Sequence, residues 1–231
     1  MISYESTHIL TIISLTMLIL LCTTYLFSLG VLLLTPDQTH SSKRFWIKVL
    51  TCIHPLLILL VGFLNQSILT IEPALLGALI FAFLGDNALG LKHRYKAAMP
   101  LGIITFSLTH VTLCILLYDQ AWFIWTIMII LCVWFILFRY LSKRLVFRSY
   151  SKLITIYSFL ILMMFGLAST SLIQMFDVHH FILWTGAFSF LISDILLAHK
   201  YFAKTKVFWV NIAYLLLYHL ALSLFTLSAF V

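Results

Sequence analysis

Long apolar runs separated by short polar breaks fill the chain, and their length decides what they are. Each run extends for about 18 to 27 residues, the span a helix needs to cross ~30 Å of hydrocarbon at ~1.5 Å rise per residue. The breaks predict eight helices, over residues 8–34, 45–64, 73–91, 97–117, 121–138, 150–175, 180–199 and 207–230. Spanning strands would instead need ~10-residue segments of alternating polarity, and the sequence has none. The expected fold is all-α, a polytopic membrane protein whose single transmembrane domain occupies residues 1–231 and leaves no room for a soluble domain. The first run is expected to be retained. No basic residue precedes it, it is longer than the ~7–15 residues of a secretory h-region, and its Thr35-Pro36-Asp37 exit lacks a small-residue cleavage pattern.

Composition agrees with the pattern and closes off other classes. The chain is 63% hydrophobic and 9% charged, with a mean hydropathy of +1.13, whereas about a quarter of the residues of a soluble domain are charged. The net charge of +7 is distributed by side. Lys43, Arg44 and Lys48 follow the first helix; Lys92, Arg94 and Lys96 follow the third. Arg139, Lys143, Arg144, Arg148 and Lys152 follow the fifth, and Lys200, Lys204 and Lys206 the seventh, which accounts for all 14 basic side chains. The other connections and the N-terminus carry only Glu5, Glu72, Asp119 and Asp177. The positive-inside rule then makes both termini non-cytoplasmic and the basic loops cytoplasmic. Topogenesis and lipid headgroups explain this charge, so nucleic acid is not an expected partner. With no organelle signal, the expected location is a bacterial inner membrane. Cys22, Cys52, Cys114 and Cys132 all lie within apolar runs, where they read as packing residues rather than a disulfide framework.

Two acids interrupt this pattern. Asp86, in FAFLGDNALGLK, and Asp194, in FSFLISDILLAHK, each sit inside an apolar run and are each followed six residues later by a lysine, Lys92 or Lys200. That spacing places both ~9 Å from the basic side. They lie 108 residues and four helices apart, and at the same offset Leu89 matches Leu197. A parallel four-plus-four internal repeat is therefore expected, with a pseudo-twofold along the membrane normal that sets the two acids at one depth, able to face each other. An ionised carboxylate at mid-membrane costs ~2.5–3.5 kcal/mol on insertion scales, so such groups face the bundle interior and mark function. Of two close carboxylates, one holds a proton while the other stays charged, the acid and base division used on ethers and acetals. The bland alternative is that each acid only hydrogen-bonds a neighbouring helix, with Asn87 and Ser193 as local polar company.

Further polar residues fall within the runs: His54, His110 and His219, and Tyr157, Tyr214 and Tyr218. Each histidine can tune or shuttle a proton, although singly such a residue is more often a hydrogen-bonded packing group. No recognisable ligand spacing marks a metal site. Gly77, Gly85, Gly102, Gly166 and Gly186 suit close helix approach, and Trp122, Trp125, Trp184 and Trp209 near run ends suit interfacial anchoring.

The two acid motifs, Gly85-Asp86-x-x-Leu89 and Gly186-Ala187-x-x-x-Phe190-x-x-Ser193-Asp194-x-x-Leu197-Ala198, resemble the paired motifs of the YhhN-type lysoplasmalogenases. The likeness extends to Lys48 with Pro55, His110, Tyr157 with Met163, and Tyr214. It departs at Leu113, where the family tends to show a tyrosine, and at Tyr218, where it tends to show a glutamine. The resemblance implies an eight-helix membrane enzyme that hydrolyses the sn-1 vinyl ether of lysoplasmalogens to a fatty aldehyde and glycerophosphoethanolamine or glycerophosphocholine. It implies Asp86 and Asp194 as catalytic residues, with His110, Tyr157, Tyr214 and Ser193 beside the substrate; Asn87, next to Asp86 in the chain, is a further substrate-binding candidate. Lys48 is the first candidate for the phosphate, ahead of Lys92, Arg94 and Lys200. No cofactor, metal or obligate protein partner is expected beyond the lysophospholipid and membrane lipids. The same acids would also suit a proton-coupled transporter or lipid carrier, or a zinc-dependent hydrolase using His54, His110 or His219.

Overall fold

A computed structural model describes residues 4–35, 42–64, 71–118, 123–142, 150–203 and 208–231. Lys143, Arg144, Arg148, Lys204, Lys206, Asp37, Trp122 and the Asp119-Gln120 turn lie outside the described residues. The described chain is all helical: α1 (Tyr4–Leu34), α2 (Ser42–Leu64), α3 (Pro73–Gly90), α4 (Ala98–Leu116), α5 (Phe123–Ser142), α6 (Ser151–Gln174), α7 (Val178–Phe202) and α8 (Phe208–Ser228). Every boundary falls within four residues of its sequence prediction. Seven helices are long and apolar enough to cross a membrane, while α5 presents a shorter apolar stretch, Trp125–Tyr140. The extension of α5 past residue 138 carries Arg139 into its last turn, where a cation meets the negative end of the helix dipole.

Local sequence sets several of the ends. Pro73 opens α3 at a position where its missing N–H costs nothing. Asp177 caps α7 by accepting from the His180 backbone N–H at 2.8 Å. That bond, and the His180 side chain beside it, hold the Asp177 carboxyl below its ordinary range. Inside α2, Pro55 removes one backbone donor, and the neighbouring His54 ring bonds the Leu50 carbonyl at 2.6 Å.

The core lies where α3, α7 and α8 meet. In each of these helices 44% of the apolar window is buried, against 17% for α1. Helix α3 packs along α4, and α7 along α8; α6 bridges α4, α5 and α7, and α2 bridges α1, α3 and α8. Phe106, Phe190 and Tyr218 knit α4, α7 and α8 together edge to face, with centroid separations of 6.4, 5.9 and 5.6 Å.

Gly85 is the closest approach beside an acid. A Cβ there would stand 2.8 Å from the Phe106 ring and 2.9 Å from Thr105 Oγ1. Gly85→Ala is therefore expected to cost ~1–3 kcal/mol through overpacking, read as a lower unfolding midpoint in detergent.

Candidate functional site

The bundle interior carries two carboxylate clusters. The first joins α2 to α3. Asp86, 5% exposed, receives the Lys48 ammonium at 2.6 Å on Oδ1, and the same ammonium donates to the Asp86 backbone carbonyl at 3.2 Å. One turn further along α2, the buried Cys52 thiol donates to Asp86 Oδ2. Residues four apart lie on one helix face, so Lys48 and Cys52 grip the two oxygens from one side.

The second cluster joins α4, α6 and α7. The Tyr157 hydroxyl donates to Asp194 Oδ2. His110 Nε2 stands 3.3 Å from that oxygen and 3.2 Å from the Tyr157 hydroxyl. With Tyr157 spending its proton on Asp194, both neighbours of Nε2 are acceptors, so Nε2 is a nitrogen that bears a hydrogen. Nδ1 is buried and has no partner among the described residues. Phe190 and Tyr157 fix the ring, with centroids 4.9 and 5.2 Å away. Among the described residues every hydrogen bond to the Asp194 side chain falls on Oδ2, which leaves Oδ1 available.

Asp194 and Tyr157 also line a cavity of about 50 Å³ whose other walls are apolar, among them Leu89, Ile103, Phe106 and Tyr201. A cavity needs ~10–15 Å³ of such volume per water, so this one admits a water together with the first atoms of a chain. Asp86 does not line it.

The two carboxylates therefore have separate partners, although Tyr218, bonded to the Ala82 carbonyl at 3.4 Å, lies within electrostatic reach of both. Lys48, first in line for a phosphate from sequence, is committed to Asp86. Asn87 turns back to its own helix and donates to the Phe83 carbonyl at 2.9 Å. Ser193 bonds the Tyr214 carbonyl at 2.9 Å and so ties α7 to α8, while the Tyr214 hydroxyl accepts from Lys200 at 3.1 Å. Of the sequence candidates, His110 and Tyr157 meet Asp194 directly, and Lys48 meets Asp86. Sequence reasoning took Cys52 for packing; its position four residues after Lys48 was the available signal. It also passed over Tyr25, whose hydroxyl meets His219 Nδ1 at 3.2 Å and accepts from Ser223 at 3.2 Å in a buried polar link between α1 and α8. Among the described residues no three His, Cys, Asp or Glu side chains converge as metal ligands would.

Apolar helices of spanning length, wrapped around buried acids and their hydrogen-bond partners, define a polytopic helical membrane protein with a polar interior. Residues 43–229 match the YhhN family, and the chain belongs to that family, which is the family of lysoplasmalogenases. No curated protein and no solved structure matches the chain. Membership points to a membrane hydrolase of lysoplasmalogenase type.

Proposed function

We propose that the protein hydrolyses the sn-1 vinyl ether bond of lysoplasmalogens to a fatty aldehyde and glycerophosphoethanolamine or glycerophosphocholine. The observation that carries this is Asp194 on the wall of an apolar cavity, with the Tyr157 hydroxyl donating to Oδ2, His110 Nε2 beside the same oxygen, and no donor on Oδ1 among the described residues. A neutral carboxyl needs that arrangement: its carbonyl oxygen accepts while its hydroxyl oxygen keeps a proton to give. Asp194 protonates the outer alkene carbon, and the π electrons form the new C–H bond. The neighbouring carbon becomes an oxocarbenium centre stabilised by the ether oxygen. Water adds there and returns a proton to the Asp194 carboxylate, and the hemiacetal collapses to aldehyde and free glycerol hydroxyl. Asp86, paired with the Lys48 ammonium, is the second carboxylate of the interior and favours the cation. His110 and Tyr157 position Asp194.

The finer architecture belongs to the same proposal. The packing of α3 on α4 and of α7 on α8, of α2 on α3 and of α6 on α7, and of α2 on α8 and of α6 on α4 supports a parallel four-plus-four repeat. At its 108-residue offset His110 corresponds to Tyr218, and both lie near the acids. The sidedness of Lys and Arg supports non-cytoplasmic termini and a site toward the cytoplasmic leaflet, a bias that a bacterial inner membrane and a eukaryotic reticulum membrane share.

The test is aldehyde release by the purified protein from 1-alkenyl lysophospholipids, with saturated 1-alkyl analogues as control. A transporter would move the lipid and release none. Within this account Tyr157→Phe removes one donor from Oδ2 and is expected to lower kcat ~10–100-fold at unchanged KM, checked by steady-state kinetics beside a melting curve.

A further inference from the structure

Lys92 and Lys200 each stand six residues beyond an acid, and both are half-buried. Their ammonium groups approach one ring: Lys92 Nζ lies 3.7 Å from the Tyr201 centroid and Lys200 Nζ lies 5.7 Å from it. Lys200 is also 4.6 Å from the Tyr214 centroid and donates to that hydroxyl at 3.1 Å. The two charges are thus within about one Debye length of each other, ~8–10 Å, and half-burial reduces screening further.

Tyr201 ties this cationic pair to the reacting centre. Asp194, Leu197, Ala198 and Tyr201 follow one another at helical spacing along a single face of α7, and all four line the same cavity. From Asp194 to Tyr201 the helix rises ~10.5 Å. In a 1-alkenyl lysophospholipid seven bonds separate the outer alkene carbon from phosphorus, ~9 Å when extended at about 1.25 Å advance per bond. The two lengths agree to within about 2 Å.

We infer that Lys92 and Lys200, both beside the Tyr201 ring, form the subsite for the lipid-borne phosphate, so that anchoring the headgroup there sets the vinyl ether against Asp194. This rests on the hydrolase reading for its substrate class but assigns residues which that reading leaves open, and it replaces Lys48, whose charge is spent on Asp86. The face of α7 then acts as a ruler. A lipid that keeps the ether but lacks the phosphate is held without register.

A binding measurement tests this independently of turnover. Displacement of a photoreactive saturated 1-alkyl lysophospholipid is measured on the full-length protein in detergent, with unlabelled 1-alkyl lysophospholipid, 1-alkyl glycerol and inorganic phosphate as competitors. Lys92→Gln and Lys200→Gln are each expected to weaken the lysophospholipid about tenfold, the loss of roughly one charge-assisted contact, and to leave 1-alkyl glycerol unchanged. Lys92→Arg and Lys200→Arg are expected to retain binding. Equal weakening of both lipids, unchanged lysophospholipid binding, or displacement by inorganic phosphate at equal concentration would overturn the subsite. Phosphate-dependent binding without aldehyde release from the 1-alkenyl lipid would refute the hydrolase reading alone and leave the subsite standing.

Discussion

Asp194→Asn is expected to cut aldehyde release from a 1-alkenyl lysophospholipid by about 10²–10⁴-fold, the range that a positioned proton donor contributes. Asparagine keeps the volume and still accepts from Tyr157 on its amide oxygen, so the cluster of Tyr157, His110 and residue 194 survives. What disappears is the carboxyl proton that the proposed mechanism delivers. The loss therefore falls on kcat, while KM and the unfolding midpoint stay near wild type. Asp86→Asn is expected to cost less in kcat, ~10²–10³-fold, because it removes a charge and not the proton itself. If both variants turned over at the wild-type rate while folded, the carboxylate mechanism would be wrong.

The second large effect is on stability. Lys48→Met is expected to destabilise the protein by ~3–5 kcal/mol, because it leaves a carboxylate buried without its counter-charge. The side chains are 16% and 8% exposed, so solvent screens the 2.6 Å contact little. Asp86→Asn strands the ammonium in the same way. Joining the two substitutions removes both charges, so the double variant is expected to be more stable than the single losses combined would give, with a coupling of a few kcal/mol in a double-mutant cycle. A cycle with no coupling, read from denaturant unfolding in detergent, would mean that Lys48 is available to substrate after all.

The sequence was explicit about the helices because a membrane leaves few choices. Backbone groups in hydrocarbon must be satisfied within a helix, so run length alone placed all eight, with Pro73 as the start of α3, while the Asp177 cap of α7 lies three residues before the predicted start at residue 180. The acids were legible for a related reason: a carboxylate in an apolar run stands out at a glance. Their company was much less so. Lys48 looked like a phosphate ligand because its position at the start of α2 says nothing of which neighbour its long side chain reaches, and it reaches across to α3. Cys52 resembles any apolar core residue until Asp86 is placed beside it. Asn87 and Ser193, adjacent in sequence to the acids, point elsewhere, since neighbours at i+1 and i−1 do not share a helix face. His110 and Tyr157 entered as two of several buried polar residues. The meeting of α4 and α6 against α7 singles them out.

The most direct test follows the proton. Purified protein is given a 1-alkenyl lysophospholipid in D₂O, and the aldehyde is analysed at once by mass spectrometry, with authentic aldehyde as the exchange control. Delivery of a proton to the outer alkene carbon predicts one deuterium on the carbon next to the carbonyl, in the wild type and at a much lower rate in Asp194→Asn. Aldehyde without that deuterium, or no aldehyde from well-folded wild-type protein, would contradict the account.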